Sequence, residues 1–147
     1  MKKNNQNGKA NGELLAGMND ALNREISTIV RYLLQGSSIH GLVNEPLRQM
    51  YRKEVTDELG HAQYLADKIA ILGGKAEVHP DLAPPPEDIE KMVARDLAAE
   101  ESDIAHYQKL AKMAEDAGLV ELKLRMEGQA ADESRHAEEL RRMQSSS

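Results

Sequence analysis

The sequence predicts an all-α fold, an antiparallel four-helix bundle with one long crossover between helices 2 and 3. Three observations predict it. Four segments of about 25–30 residues each carry apolar residues at helical spacing. The large apolar side chains are Leu, Ile, Val and Met, with no Phe or Trp, which favours helix packing over a sheet sandwich. Residues 75–86, KAEVHPDLAPPP, are excluded from any helix, because prolines remove donors and clash, and they divide the four segments into two pairs.

The elements follow in order. Residues 1–12 are polar and Asn/Gly-rich and read as a flexible tail, residues 13–143 as the bundle, and residues 144–147 as a second tail. From about Glu13 the first stripe runs Leu15, Met18, Leu22, Glu25, Ile29 and Tyr32, until Gly36 and Gly41 weaken the helix. Asn44 and Pro46 suit the start of the second helix. Its stripe is Leu47, Tyr51, Glu54, Glu58, His61, Leu65 and Leu72, and Gly73-Gly74 stops it. The third helix is expected from Pro86, with Glu87 and Asp88 in a first turn that favours negative charge. Its stripe is Ile89, Val93, Leu97, Glu100, Ile104, Tyr107 and Ala111. Gly118 separates it from the fourth, with Leu122, Met126, Gln129, Glu133, His136, Leu140 and Met143. A linker of fourteen residues, Gly73 to Pro86, reaches about 46–50 Å when extended, against about 42 Å for a 28-residue helix. The crossover can therefore run the whole length of the bundle.

Composition removes several function classes. The chain of 147 residues is long enough for one domain with a real core. It has no cysteine, which excludes disulfides, thiol nucleophiles, Fe–S clusters and thiolate zinc sites. A net charge of −6 argues against broad nucleic-acid binding. The basic start lacks the apolar stretch of a secretory signal, and no apolar run approaches the roughly 18–20 residues that span a bilayer. A cytoplasmic protein is the expectation, binding neither nucleic acid nor membrane.

The chemistry is written in an internal repeat. Glu25, Tyr32, Asp57, Glu58 and His61 recur as Glu100, Tyr107, Asp132, Glu133 and His136, each displaced by 75 positions. Each half supplies one lone Glu and, 33 residues later, a Glu-x-x-His pair. Counted from turns near Leu42 and Gly118, Glu25, Glu58, Glu100 and Glu133 lie at similar depth and can meet at mid-bundle. Each of the four sits inside an apolar stripe, where an unpaired carboxylate is costly. The bland reading pairs them with Lys or Arg, or treats them as polar breaks on a solvated face. No Lys or Arg shares the stripes near these positions. Four carboxylates and two neutral imidazoles carry −4, which two divalent cations cancel, and bundles build dinuclear sites from this ligand pattern. Glu25, Glu58, His61, Glu100, Glu133 and His136 are the candidate metal ligands.

The other repeated residues have two readings each. Asp57 and Asp132 either accept the second N–H of an imidazole across the bundle or are solvated. Tyr32 and Tyr107 either hydrogen-bond a shared carboxylate or supply an electron, and for Tyr107 core packing is an equal reading. Tyr32 is the candidate catalytic residue. Glu54 and Asp103 are accessory carboxylates or solvated, with solvation favoured for Asp103. His40, His79 and His106 have no matched partner and are expected at the surface. A second seam on helix 2 (Val55, Leu59, Ala62, Ala66, Ala70) and Ile26, Val30 and Leu33 on helix 1 predict a homodimer through these two helices, since helix 3 offers polar Asp96 and Asp103 at comparable positions.

With LNREISTIVRYLL, EVTDELGHAQYLADKIAILGG, RDLAAEESDIAHYQKL and ADESRHAEEL in place, the chain from Leu14 to Met143 resembles the ferritin-like di-iron superfamily, most closely its bacterioferritin branch. The resemblance implies that Glu25 and Glu100 are terminal ligands, that Glu58 and Glu133 bridge two iron ions, and that His61 and His136 complete the two positions. It implies a ferroxidase that oxidises Fe(II) with O2 or H2O2, for iron storage or detoxification. Bacterioferritins bind haem through a Met directly after the first bridging Glu; Leu59 stands here, so haem is not expected. The Tyr pair and Asp103 also resemble rubrerythrins, di-iron peroxidases, which without the four-Cys rubredoxin module would draw electrons from a separate protein. A helical scaffold with a structural metal site is the non-enzymatic alternative. Manganese stays open beside iron, because carboxylate and imidazole suit both.

Overall fold

The computed structural model describes residues 4–144. Four long helices account for the fold: α1 (Asn4–Ser38), α2 (Glu45–Ile71), α3 (Ile89–Asp116) and α4 (Val120–Met143), with a short 3-10 turn at Leu42–Asn44 before α2. Helix α1 begins at Asn4 rather than near Glu13, since no proline interrupts the segment and extending a nucleated helix is easy. Of the expected tails, residues 1–3 and 145–147 lie outside the described residues. None of the helices is long and apolar enough to cross a membrane among the described residues.

Two helix stops rest on glycine. Gly73 and Gly118 have φ of 84° and 74°, where a Cβ would be strained. In each case the glycine N–H reaches back to a carbonyl three residues earlier (Ala70, Glu115). The next N–H reaches a carbonyl five residues back (Ile69, Ala114), so both helices end in the same closed turn. Pro46 sits in the first turn of α2 as expected. Asp88 is the cap of α3 and not part of its first turn: its Oδ1 accepts from the Lys91 N–H at 2.9 Å, and Glu90 takes the first-turn place.

Contacts across the bundle set the helix directions. Asp96 near the start of α3 meets Gln35 near the end of α1, and His106 further along α3 meets Gly17. Helices α1 and α3 are therefore antiparallel, as are the hairpins α1–α2 and α3–α4. The crossover lies along α1, held by a ladder. Asn19 donates to the Lys75 carbonyl and accepts from the Glu77 N–H, at 3.0 and 2.8 Å. Asn23 donates to the Glu77 carbonyl and accepts from His79, and Ser27 Oγ accepts from the Asp81 N–H at 2.8 Å. The spacing is mechanical: four helical residues rise about 6 Å, close to the roughly 6.6 Å of two extended residues. Every fourth residue of α1 thus meets every second residue of the linker.

Two apolar clusters plug the bundle. One joins Leu14, Met18 and Leu22 to Leu65, Ile69, Leu110, Leu122 and Met126. The other joins Tyr32 and Ile39 to Leu47, Tyr51, Met92, Val93 and Leu140. Each fully buried large apolar side chain contributes about 1.5–3 kcal/mol. The helices α2 and α4 bury their expected stripes, apart from half-buried Leu72 and exposed Met143. Helix α3 is rotated. It buries Met92, Asp96, Asp103 and Leu110, leaving Ile89, Leu97 and Ile104 half-buried at its flanks.

That rotation corrects two expectations. Asp103 is not solvated, being 6% exposed, and Asp96 is fully buried, so neither is a surface polar residue of helix 3. Each is turned inward by an arginine of α1: Arg31 Nε lies 2.6 Å from Asp96, and Arg24 Nη1 3.2 Å from Asp103. Ala62, assigned to the outer seam, is buried in the first cluster. His106 is not at the surface either. It is half-buried, with Nε2 2.8 Å from the Gly17 carbonyl, while His40 and His79 are exposed as expected.

Candidate metal centre

Between the two apolar plugs the interior turns polar. Glu25 from α1, Glu58 and His61 from α2, Glu100 from α3, and Glu133 and His136 from α4 are all buried there. They form two groups, Glu25–Glu58–His61–Glu133 and Glu58–Glu100–Glu133–His136. Within each group, one ligand atom from every residue lies within 4.8 Å of the others. Glu58 and Glu133 belong to both. The structure therefore brings together all six candidate ligands, and two of the four glutamates are common to both groups.

Each imidazole faces inward with Nδ1 and outward with Nε2. His61 Nδ1 lies 3.1 Å from Glu133 and 3.5 Å from Glu25, while its Nε2 lies 2.9 Å from Asp132. His136 Nδ1 lies 3.1 Å from Glu58, and its Nε2 is 3.2 Å from Asp57. The aspartates thus reach across between α2 and α4 and fix ring orientation, which is what an outer partner of a ligand histidine does. An i,i+3 spacing places Glu58 and His61 on one face of α2, and Glu133 and His136 on one face of α4.

The tyrosines cross in the other pair of helices. Tyr32 of α1 donates to Glu100 Oε1 of α3 at 2.6 Å, and Tyr107 of α3 donates to Glu25 Oε1 of α1. They hold the lone glutamates and not the shared ones, and Tyr107 makes a specific bond beyond packing. The neighbouring polar network was not read from the sequence as a unit. Asp96 accepts from Arg31 (2.6 Å), Gln35 (2.6 Å) and Tyr51 (2.7 Å), and the Tyr51 ring lies 4.8 Å from that of Tyr32. Its only sequence signal was Asp96 beside the apolar stripe, four residues before Glu100.

The electrostatics are those of a cluster short of positive charge. Burial drives the Glu133 carboxyl well above its usual range, and Glu100, Glu58 and Asp103 add to it; burial also raises Glu100. Burial pushes Glu58 up as well, but the nearby His136 and His61 imidazoles, with Nδ1 at 3.1 and 3.7 Å, outweigh this and hold it low. His136 is pushed up to about 9, its burial outweighed by Glu58, Glu54 and Glu100. Burial carries Glu54 up to about 8. Among the described residues, both oxygens of Glu58 and Glu133, Oε2 of Glu25 and Glu100, and Nδ1 of both histidines lack a hydrogen-bond partner. Buried polar atoms are rarely left so. These atoms converge, and carboxylate oxygens with imidazole nitrogens are a donor set for divalent cations of the iron and manganese type. The residues fit a pair of such ions.

Comparisons with known proteins identify the fold and the family. The family model described as Ferritin-like domain matches residues 15–145. A ferritin-like, diiron-carboxylate protein from Bacillus anthracis str. Ames superposes with a TM-score of 0.88 at 33% identity, covering 92% of this chain and 98% of that one. The bacterioferritin of Desulfovibrio desulfuricans superposes with a TM-score of 0.84 at 19% identity, over 93% of this chain and 81% of its own. Dps from Thermosynechococcus elongatus gives 0.83 at 15% identity, over 97% and 96%. The last two show a shared fold alone. No curated protein matches the sequence.

Proposed function

Because the chain belongs to the ferritin-like domain family, we propose that it is a di-iron ferroxidase that oxidises Fe(II) with O2 or H2O2, in iron storage or detoxification. One observation carries the reading: two four-residue ligand groups share Glu58 and Glu133, and their unpartnered atoms converge between two apolar plugs. Glu25, Glu58, His61, Glu100, Glu133 and His136 hold two iron ions in this reading, and manganese has the same ligand preference. Bound iron supplies redox electrons to the oxidant. The protein's own residues do the rest. Asp57 and Asp132 keep both Nδ1 atoms turned inward, and Tyr107 steadies Glu25. Tyr32 is the catalytic tyrosine in this reading: it would give one electron to the O2 or H2O2 being reduced, its phenolic proton passing to Glu100 Oε1, 2.6 Å away. The apolar plugs exclude bulk water from both ends.

A second reading has its own observation. Asp103, one turn after Glu100, is buried beside the cluster and held by Arg24, an additional carboxylate of the sort expected in a rubrerythrin-like peroxidase. Anaerobic Fe(II) loading, followed by separate mixing with O2 and with H2O2, separates the two. The ferroxidase oxidises Fe(II) added beyond two per chain without a reductase, and Tyr32→Phe slows turnover or changes its by-products while both ions stay bound. Oxidation that stops after two irons, with rapid peroxide consumption once an external reductase is supplied, selects the peroxidase. Metal binding with neither activity selects the structural scaffold.

A homodimer through α1 and α2 belongs to the same reading. Leu33, Leu34 and Leu59 stand 61%, 47% and 47% exposed on these helices, apolar area that an isologous contact would bury. Leu59→Arg then shifts sedimentation towards the monomer. A wild-type chain that sediments as a monomer at high concentration removes this part of the proposal.

A further inference from the structure

Resting on the dinuclear reading above, we infer that the two cation positions are inequivalent. The His61 position exchanges its divalent cation through a groove between α2 and α4, and the His136 position retains its ion. The groove has a volume of about 470 Å³, and His61 lines it whereas His136 does not. The His61 side chain is 8% exposed and that of His136 2%.

Two glycines keep the groove open. Gly60 on α2 and Gly128 on α4 both line it, and a Cβ built on either meets nothing within 4 Å. Glycine is unfavourable inside a helix, and no neighbouring atom requires it at these positions. What the missing side chains provide is access. Inside the groove lies Gln129, 3% exposed, with neither polar atom of its amide hydrogen-bonded among the described residues. Asp57 and Asp132 line the groove as well. The two arginines beside them are engaged: Arg135 with Asp132 at 3.3 Å, and Arg125 over the Tyr64 ring at 4.5 Å.

The repeat exposes the asymmetry. Moved by 75 positions, Gln129 falls on Glu54, and each lies one turn before the Glu of its Glu-x-x-His. Both are buried and unpartnered, yet one is an amide and the other a carboxylate. Glu54 lies within electrostatic reach of His136 and Glu100, and neither of its oxygens has a hydrogen-bond partner among the described residues. The enclosed half therefore has an additional buried carboxylate to hold a dication. The open half has a neutral amide that touches a passing ion without retaining it. Asp103 does not restore the balance, because Arg24 already pairs with it.

Co2+ is the probe. The full chain is loaded with two Co2+ and mixed with excess EDTA, and the loss of Co2+ absorption is followed by stopped flow. Two release phases are expected. Gly60→Leu and Gly128→Leu should each slow the fast phase at least tenfold and leave the slow one unchanged. Glu54→Gln should accelerate the slow phase. Crystals frozen midway through the chase should retain anomalous cobalt scattering beside His136 and not beside His61. Single-phase release, a fast phase unmoved by either leucine in a variant whose helical circular dichroism is intact, or cobalt retained beside His61 overturns the proposal. If two Co2+ bind with uniform release, this inference falls and the dinuclear reading stands; if none binds, both fall.

Discussion

Glu58→Ala is expected to bind neither metal ion, whereas His61→Ala should lose or weaken only one. Glu58 contributes to both four-residue groups, and His61 to one. Losing a residue that only orients a ligand typically costs about 10–100-fold in metal affinity, so removing a shared ligand should cost more at both positions. The helices should persist, because the substitution removes no member of either apolar plug. In the metal-free protein the main local loss is the 3.1 Å approach of Glu58 to His136 Nδ1. Metal-to-protein ratios after anaerobic loading and desalting read the result: two for the wild type, none for Glu58→Ala and one for His61→Ala. Equal loss in both variants would falsify the sharing of Glu58. Glu133→Ala should behave like Glu58→Ala, since it too belongs to both groups.

The largest effect on stability is expected at Asp96. Its carboxylate is fully buried and accepts from Arg31, Gln35 and Tyr51. Asp96→Ala strands all three donors, and the Arg31 side chain, only 10% exposed, loses its anion. Removing one partner of a buried ion pair costs about 3–5 kcal/mol. At about 2–4 °C per kcal/mol for a chain of this size, the melting temperature should fall by about 10 °C. Asp96→Asn should cost less, because its amide oxygen still accepts from Tyr51 and the side chain keeps its shape. Thermal unfolding of the metal-free protein measures both. A loss below about 1 kcal/mol for Asp96→Ala would mean that Arg31 escapes to solvent and that the network adds little. The neighbourhood of the metal centre is also read by this variant: Tyr51 packs on Tyr32, so Tyr32 mobility should rise as Asp96 is lost.

By itself the sequence determined four helices, their stops and the six residues at mid-bundle. Helical periodicity fixes which side chains share a face of one helix, and equal distances from two turns fix their depth. A repeat at 75 positions then leaves little freedom in what meets what. Asp57 and Asp132 were legible only in part: each precedes its Glu, but a bond to an imidazole and solvation were equal readings until the structure set each beside a histidine of the neighbouring helix. Only the tertiary structure decided matters that depend on how one helix is rotated against another. On α3, Leu97 and Ile104 make a better apolar stripe than Asp96 and Asp103, yet the aspartates are the buried set, because Arg31 and Arg24 of α1 meet them. Periodicity within α3 carries no information about arginines on another helix. The crossed tyrosine bonds to Glu100 and Glu25, the ladder from Asn19, Asn23 and Ser27 to the crossover, and the open groove beside His61 have the same origin. Each is a relation between two elements far apart in the chain. Its energy exists only once both have docked.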